Sequence, residues 1–366
     1  MERQPPSGIE LTPLSEPFRE DPYSILDYLR RCDPVHRDRQ LQRFVLTEQQ
    51  QIRAVLRSQE LLNDPRKSRE GSFGRFFLKD DAEISMLFMD EPEHGRMRKL
   101  VNDIFTPKAV ERWRPRVIEI VEQHLDRLQV DEFELISEFA GPVPTVVIAE
   151  MLGIESGDYA LFKAWSEQLV KTSFNPQPSQ EEVEATRLAE NQLQAFLADQ
   201  VEFRRRQPGR DLISDMVRAR QADDQLTDGE IIMQCRLLLV AGNVTTTDLI
   251  GNGVRALLDH PEQLARLRQR PELIVNAVEE ILRHDSPVMN TGRIAHADIE
   301  LGGCPLEKGD YISVFLGAAN YDPNVCESPH TFDISRQNIV HHSFGGGRHF
   351  CLGASLARLE GQEAIG

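Results

Sequence analysis

The chain has 366 residues, and 59 acidic against 42 basic residues give it a formal net charge of −17. This balance argues against a nucleic-acid partner, because phosphate binding needs clustered cations. The densest apolar run, residues 237–240, is far too short to span a bilayer, and residues 1–5 are too polar to be a signal sequence. Five scattered cysteines are typical of a reducing compartment. We therefore expect a cytoplasmic protein that binds neither nucleic acid nor membrane.

Helical periodicity dominates the chain, and strand-like stretches are short. The expected helices include residues 116–128, 181–205 and 261–268, and the expected strands are residues 43–47, 299–301 and 311–315. The sequence thus predicts a mainly α fold with small β-sheets, in which helices and strands are largely segregated. No Pro/Gly/Ser-rich linker divides the chain. We expect residues 1–366 to form a single domain, although they exceed the usual size of one simple core.

His94 and Arg98 are one helical turn apart, so both side chains lie on one face of a predicted helix. A cationic pair of this kind suits a buried carboxylate, which needs cationic or hydrogen-bonding partners. The alternative is a solvated basic face, and the neighbouring Arg96 and Lys99 fit that interpretation.

A long apolar helix is expected in the middle of the chain. Thr227 and Glu230 have the spacing of a capping box, and the apolar pattern continues to about Asn252. A near-continuous apolar face indicates that this helix runs through the domain centre. Gly242 and the threonines after it are poor helix formers. Glycine permits close approach of a ligand, and a threonine hydroxyl that bonds the carbonyl one turn back opens a small groove.

Glu280 and Arg283 are three residues apart on another predicted helix and share one of its faces. Taken alone, this spacing describes an ordinary surface ion pair that stabilises a fold by a few tenths of a kcal/mol.

The most informative segment is the run of residues 343–354, which contains three successive glycines and Cys351. The glycines let the backbone fold tightly over a flat cofactor. A helix expected from Leu352 directs amide groups and the positive end of its dipole toward the sulfur, which favours a thiolate. These are the requirements of an axial cysteine ligand of haem iron.

Other interpretations of this segment exist. A single cysteine is usually a small buried apolar residue, and a glycine triplet is usually a turn or resembles a phosphate loop. His341, His342 and His349 near Cys351 suggest zinc, but no second cysteine pair stands at a zinc-ribbon spacing.

The run resembles the cysteine-ligand loop of the cytochrome P-450 superfamily, the haem-thiolate monooxygenases. The matching frame is formed by Phe344, Gly347, Cys351 and Gly353. Residues 319–323 also resemble the family's Ala-Asn-Arg-Asp-Pro segment, with Tyr321 in place of the arginine. The resemblance implies that fold, with the haem between a long central helix and the cysteine loop, and haem b (iron protoporphyrin IX) bound to Cys351 through its iron.

Further residues acquire expected roles from the resemblance. Glu280 and Arg283 match a buried structural network that includes an arginine before the cysteine loop, here Arg336. The expected cofactor-binding residues are the four members of the loop frame, the helix residue Ala241, and the propionate partners His94, Arg98, Arg293 and His349.

The central helix resembles the family's oxygen-binding helix. With Ala241 and Gly242 aligned, Thr245 is the key threonine, and Val244 occupies the position where the family normally has an acid. Protons for dioxygen must then pass through water, Thr245, Asn243 or Asp248. For Asp248 we favour the plainer interpretation of a solvent or backbone partner.

The implied function is oxygen insertion into a hydrophobic small molecule, with dioxygen and electrons from a ferredoxin or flavodoxin and its reductase. The protein is expected to be a monomer. Arg96, Lys99, Arg114, Arg116 and Arg348 are candidates for docking the acidic donor, or are scattered surface cations. Val244 leaves open a peroxide-driven peroxygenase, and a non-catalytic haem sensor is a further alternative. Only 15 residues follow Cys351, so we expect the C-terminal tail of the family to be missing.

Overall fold

The computed structural model describes residues 4–76, 83–128, 132–173, 178–223 and 226–366. Its contacts separate into two units. Unit 1 comprises Met1–Ala82 and Asp259–Cys351, and unit 2 comprises Glu83–Leu258 and Leu352–Gly366. The expectation of one domain over residues 1–366 stays a prediction.

Unit 1 contains the sheets. Its strands are β1 (Val35–Asp38), β2 (Arg43–Leu46), β3 (Leu61–Leu62), β4 (Thr291–Ala295), β5 (Ile299–Leu301), β6 (Cys304–Leu306) and β7 (Tyr311–Val314). Five strands form one sheet in the order β1-β2-β7-β4-β3, in which only the β2–β7 pair is parallel. Strands β5 and β6 form a separate antiparallel pair. Every residue of β2 and β7 is buried, as expected for central strands covered on both faces.

The helices of unit 1 pack around this sheet. They are α1 (Glu16–Glu20), α2 (Pro22–Cys32), α3 (Gln49–Arg57), α12 (Pro261–Gln269), α13 (Ile274–His284) and α14 (Leu316–Asn320). The expected network is confirmed, because Glu280 of α13 is fully buried between Arg283 and Arg336.

Unit 2 is helical. Its α-helices are α4 (Glu93–Asn102), α5 (Pro107–Glu111), α6 (Arg114–Leu125), α7 (Pro142–Leu152), α8 (Tyr159–Ser173), α9 (Gln180–Arg206), α10 (Leu212–Asp223), α11 (Asp228–Asp259) and α15 (Ala354–Ile365). Helix α7 is apolar on nearly all sides and lies in the core. Helix α11 buries a stripe that includes Ile231, Leu239, Leu249 and Leu257. None of the helices within the described ranges is long and apolar enough to cross a membrane.

The predicted capping box of α11 is confirmed, since the Glu230 amide donates to Thr227 Oγ1 at 3.1 Å and the Thr227 amide donates to Glu230 Oε2 at 2.8 Å. The expected end near Asn252 was wrong, because the helix continues to Asp259. Its termination there has a local cause: Pro261 disfavours helical geometry at the preceding His260, whose φ is −126° and ψ 73°.

The remaining expected elements agree closely with the structure. The helix expected over residues 116–128 spans Arg114–Leu125, and the predicted strands correspond to β2, β5 and β7. The helix expected from Leu352 begins instead at Ala354, after Gly353 in the N-cap position. The sheets and helices confirm a mainly α fold with small β-sheets.

Candidate active site

The cysteine loop of unit 1 is closed by its own backbone. The Cys351 amide donates to the Phe344 carbonyl at 3.0 Å, and the Gly345 amide donates to the His342 carbonyl at 2.7 Å. A short turn of 3₁₀ helix over Gly347–His349 lies between these bonds. Cys351 is exposed. The sequence therefore forms a compact loop that presents a thiol rather than burying it.

Two local features of unit 1 explain why the loop contains glycines. Gly345 and Gly347 have φ values of 68° and 66°, which side chains rarely adopt. A Cβ on Gly347 would also overlap the carbonyl oxygen of Leu56 in α3, and one on Gly346 would lie 3.3 Å from the Leu56 side chain. Helix α3 thus approaches the loop closely at Gly346 and Gly347, and the expected role of the loop glycines toward a flat cofactor stays a prediction.

Asn320 of α14 and Ser343 anchor the start of the loop. The Asn320 side chain donates to Ser343 Oγ at 3.0 Å and accepts from the His342 amide at 2.7 Å. Ser343 Oγ in turn donates to the Leu282 carbonyl of α13 at 2.6 Å. The motif around Asn320 thus holds the entry to the cysteine loop. Tyr321, the departure from the family pattern, donates to the His284 carbonyl at 2.7 Å and keeps the turn attached to α13.

Arg293 and His349 are the candidate propionate partners in unit 1. Arg293 is buried in β4, and its Nη1 donates to the Gly292 carbonyl at 2.7 Å. Glycine is required at 292 because a Cβ there would overlap the Tyr311 side chain on β7. Burial raises the pKa of Tyr311 to about 12, although Arg43 and Arg293 lower it. Tyr311 is therefore a neutral phenol and does not balance the charge of Arg293.

His94 and Arg98 lie on α4 in unit 2, one turn apart as predicted. His94 is buried, with Nδ1 3.3 Å from Glu91 Oε1, and Arg98 is half-buried. The contact with Glu91 involves one ring nitrogen of His94 and orients the ring.

Thr245 lies near the middle of α11, and its hydroxyl donates to the Ala241 carbonyl at 2.7 Å. This is the bond to the preceding turn that the sequence predicted. Ala241 is exposed and Thr245 is partly exposed, although α11 otherwise buries an apolar stripe. With its proton engaged by Ala241, the Thr245 oxygen is an acceptor for a water or a protonated ligand on this open face.

Asn243 and Gly242 face helix α7 instead. Asn243 is 3% exposed, and its Oδ1 lies 2.9 Å from Thr145 Oγ1. A Cβ on Gly242 would lie 3.1 Å from Ile148. Both residues pack α11 against α7, and their expected part in catalysis stays a prediction.

Asp248 is exposed on α11, and a different acid lies inside unit 2. Glu360 of α15 is 1% exposed, its Oε1 has no hydrogen-bond partner among the described residues, and the Thr246 side chain lies close enough to affect its pKa. Burial raises the pKa of Glu360 well above its usual value, and the Thr246 side chain offsets this only in part. Sequence analysis missed Glu360, although its position one turn after Leu356 and beside Leu359 puts an acid on the apolar face of a helix.

The candidate residues suit haem by their chemistry. A single exposed thiol on a rigid loop is the donor that haem iron takes from a cysteine, and Arg293, His349, His94 and Arg98 are the cationic or hydrogen-bonding groups that two propionates need. Within the described parts of the chain, no three His, Cys, Asp or Glu side chains form a group that could hold a metal ion. A zinc site of protein ligands alone has no support there.

Comparison with known proteins identifies the family. The family model described as Cytochrome P-450 matches residues 159–275 and 270–365. The chain belongs to the cytochrome P-450 family. The biotin biosynthesis cytochrome P-450 of Bacillus subtilis (strain 168) is 38% identical to this P-450 over 355 residues, which cover 96% of this chain and 89% of that protein.

Two further relatives agree. The cytochrome P-450 monooxygenase PikC of Streptomyces venezuelae is 38% identical over 98% of this chain and 86% of its own length. A crystal structure of the P-450 BioI, in complex with hexadec-9Z-enoic acid ligated to acyl carrier protein, matches with a TM-score of 0.88 at 36% identity. The match covers 96% of this chain and 91% of that one. This P-450 is therefore a haem-dependent monooxygenase that hydroxylates a small organic molecule with dioxygen and electrons from redox partners.

Proposed function

We propose that this P-450 binds haem b through the Cys351 thiolate and hydroxylates an elongated hydrophobic molecule. The observation that carries this proposal is the exposed Cys351 thiol on a loop held by Asn320 and Ser343. Haem iron bound to a cysteine thiolate activates dioxygen for insertion into a C–H bond. The protein's own residues bind the substrate, limit water and supply protons.

The cofactor would be held at its edges by charge. Arg293 and His349 of unit 1 and His94 and Arg98 of unit 2 are the partners we assign to the propionates. Arg293 is buried in β4, where its guanidinium would make a charge-assisted hydrogen bond to a carboxylate. Phe344, Gly347 and Gly353 shape the backbone around Cys351, and Ala241 offers a small side chain on the open face of α11.

We assign the proton supply to Glu360, Thr246 and Thr245. Val244 cannot carry a proton, whereas burial beside Thr246 raises the pKa of Glu360 and so favours its protonated form. The hydroxyls of Thr245 and Thr246 point about 100° apart around α11, so water must connect them. Thr245 then holds that water on the substrate side. Asp248, one turn along and exposed, is the residue at which protons enter from solvent in the alternative route.

The substrate class follows from the open face of α11. Ala241 is exposed on this face one turn before Thr245, and the buried Leu238 lies on the same side of the helix, so the residues next to the proposed reaction site are apolar. The similar P-450 BioI was crystallised in complex with hexadec-9Z-enoic acid ligated to acyl carrier protein, which is consistent with an elongated apolar substrate here.

We propose a ferredoxin or flavodoxin, with its reductase, as the electron donor. Three of the five candidate docking cations are half-buried and form ion pairs. The pairs are Arg96 with Glu230, Arg114 with Glu111, and Arg116 with Glu150. Lys99 and Arg348 are exposed, so they are the better candidates to attract an acidic donor. We further propose that the protein acts as a cytoplasmic monomer.

A peroxide-driven reaction is the second candidate, and Val244 favours it. The test is product formation from dodecanol with a ferredoxin system, and separately with hydrogen peroxide alone. Product with the ferredoxin system and none with peroxide supports the monooxygenase route through Glu360. The reverse result would assign the chain to the peroxide-driven class.

A further inference from the structure

Gln234 on α11 is a buried amide that its surroundings do not satisfy. It is 1% exposed, and among the described residues neither Oε1 nor Nε2 has a hydrogen-bond partner. Its neighbours Ile231, Cys235 and Leu238 belong to the apolar core of unit 2. A buried polar group without a hydrogen-bond partner destabilises a fold. The presence of such an amide at position 234 therefore calls for an explanation.

The other buried polar side chains of α11 lie beside polar groups of neighbouring helices. Asn243 meets Thr145 of α7, and Thr246 meets Glu360 of α15. Both lie on the side of α11 that faces the core of unit 2. The polar side chains of α11 on that side therefore lie beside another polar group, whereas both polar atoms of Gln234 lack a partner among the described residues.

The helical phase of Gln234 matches that of the proposed reaction site. Ala241 and Thr245 follow Gln234 by seven and eleven residues, which returns each side chain to within about 20° of Gln234 around the helix axis. Leu238 lies between them on the same side. Gln234 and Thr245 are about 16 Å apart along the axis. This side of α11 therefore carries glutamine, leucine, alanine and threonine in order, with a polar residue at each end and apolar residues between them.

We propose that Gln234 is a specificity residue that binds a hydroxyl group at the end of the substrate remote from the oxidised carbon. The proposal rests on the proposed function, because it places the reacting end of the substrate beside Thr245. The substrate is then an elongated molecule with an apolar body and a distal neutral hydroxyl.

The choice of a hydroxyl follows from both ends of the amide. Oε1 needs a donor and Nε2 needs an acceptor, and a neutral hydroxyl supplies both. A carboxylate or ketone would accept a hydrogen bond from Nε2 but would leave Oε1 without a donor. A carboxylate would also place a charge in the apolar surroundings of Ile231 and Cys235, which is strongly unfavourable.

The experiment uses the haem-loaded protein and two matched probes, dodecanol and dodecyl methyl ether. Binding is followed by the shift of the haem Soret band on titration, and thermal unfolding is followed without a probe. The variant is Gln234→Leu, which keeps the size and removes the amide. The control is Gln263→Leu in unit 1, because Gln263 is also buried but accepts a hydrogen bond from the Ile334 amide at 3.3 Å.

We expect the wild type to bind the alcohol roughly tenfold more tightly than the ether, and Gln234→Leu to bind the two equally. Gln234→Leu should raise the unfolding temperature by roughly 1 to 3 °C, because an unmet polar group is replaced by an apolar one. Gln263→Leu should lower the unfolding temperature and keep the preference for the alcohol.

Three results would overturn the proposal: no preference for the alcohol in the wild type, a preference that survives in Gln234→Leu, or a lower unfolding temperature in Gln234→Leu. The last would mean that a bound water or another group already satisfies the amide. Failure of the proposed function would be distinguished by a different result, the absence of a thiolate-type haem spectrum in the wild type.

Discussion

Arg283 donates two hydrogen bonds to Glu280, from Nε to Oε2 at 2.7 Å and from Nη2 to Oε1 at 2.8 Å, and both side chains are completely buried. Arg283 Nη1 also donates to the Pro329 carbonyl at 2.8 Å, and Arg336 Nε donates to both Glu280 oxygens at 3.2 Å. One carboxylate thus fixes α13 and the segment that leads to the cysteine loop. Its role is structural.

Glu280→Gln should destabilise the protein by about 3–5 kcal/mol, because it leaves two guanidinium groups without their buried counter-charge. The measurement is the free energy of unfolding in urea, together with the fraction of purified protein that carries haem. Arg266→Gln is the control, since its pair with Asp333 is partly exposed and should contribute less than about 1 kcal/mol. Equal losses in the two variants would contradict the structural role of Glu280.

Thr245→Ala should uncouple electron consumption from product formation and increase release of hydrogen peroxide, because the variant lacks the hydroxyl that holds water on the open face of α11. The measurement is the ratio of product to NADPH consumed. Thr247→Ala is a matched control, because Thr247 makes the same kind of bond to the carbonyl of Asn243, at 3.0 Å. Unchanged coupling in Thr245→Ala would remove this residue from the proton route.

Glu360→Gln should slow coupled turnover and remove a pH dependence of stability. Burial raises the folded-state pKa of Glu360 above its ordinary value of 4.5. The stability that this group contributes is therefore fully present below that value and is lost as pH rises toward and through the folded pKa. In that window wild-type stability should fall by about 1.4 kcal/mol per pH unit relative to Glu360→Gln.

Urea unfolding of both proteins at about pH 5 and about pH 8 checks this sign. Glu363→Gln serves as the control, because Glu363 on the same helix pairs with Arg114 and is partly exposed. A difference between wild type and Glu360→Gln that does not change with pH would mean that the carboxyl titrates normally. Full coupled turnover in Glu360→Gln would exclude it from the proton supply.

Arg98→Ala should loosen haem binding without changing substrate preference, because Arg98 is assigned to a propionate and not to the substrate. Haem occupancy after gel filtration and the rate of haem transfer to apomyoglobin measure this directly. Lys99→Ala is the control, since Lys99 is exposed on the next position of α4. Wild-type occupancy and transfer rate in Arg98→Ala would contradict its role.

The sequence predicted those features that depend on local pattern. The cap of α11, the spacing of His94 and Arg98, and the bond from Thr245 to Ala241 all follow from neighbours within a few residues. The network around Glu280 was reached through the family resemblance, because the spacing alone describes a surface pair as well.

Features that depend on distant segments were harder to predict. The reason for Gly347 lies in Leu56, and the environment of Gly242 is set by Ile148, nearly a hundred residues away in the chain. Glu360 was missed because an isolated glutamate in a helix normally faces solvent. Only its contact with Thr246 shows that it faces inward.

The most direct test of the central claim is the absorption spectrum of the reduced, carbon-monoxide-treated protein, compared with that of Cys351→Ser. The account predicts a strongly red-shifted Soret band in the wild type that is lost in Cys351→Ser. The band should be retained in Cys326→Ser, whose thiol is buried in unit 1 and points to the Glu327 carbonyl at 3.8 Å. The same red-shifted band in Cys351→Ser, or its absence from the wild type, would contradict ligation of haem by Cys351.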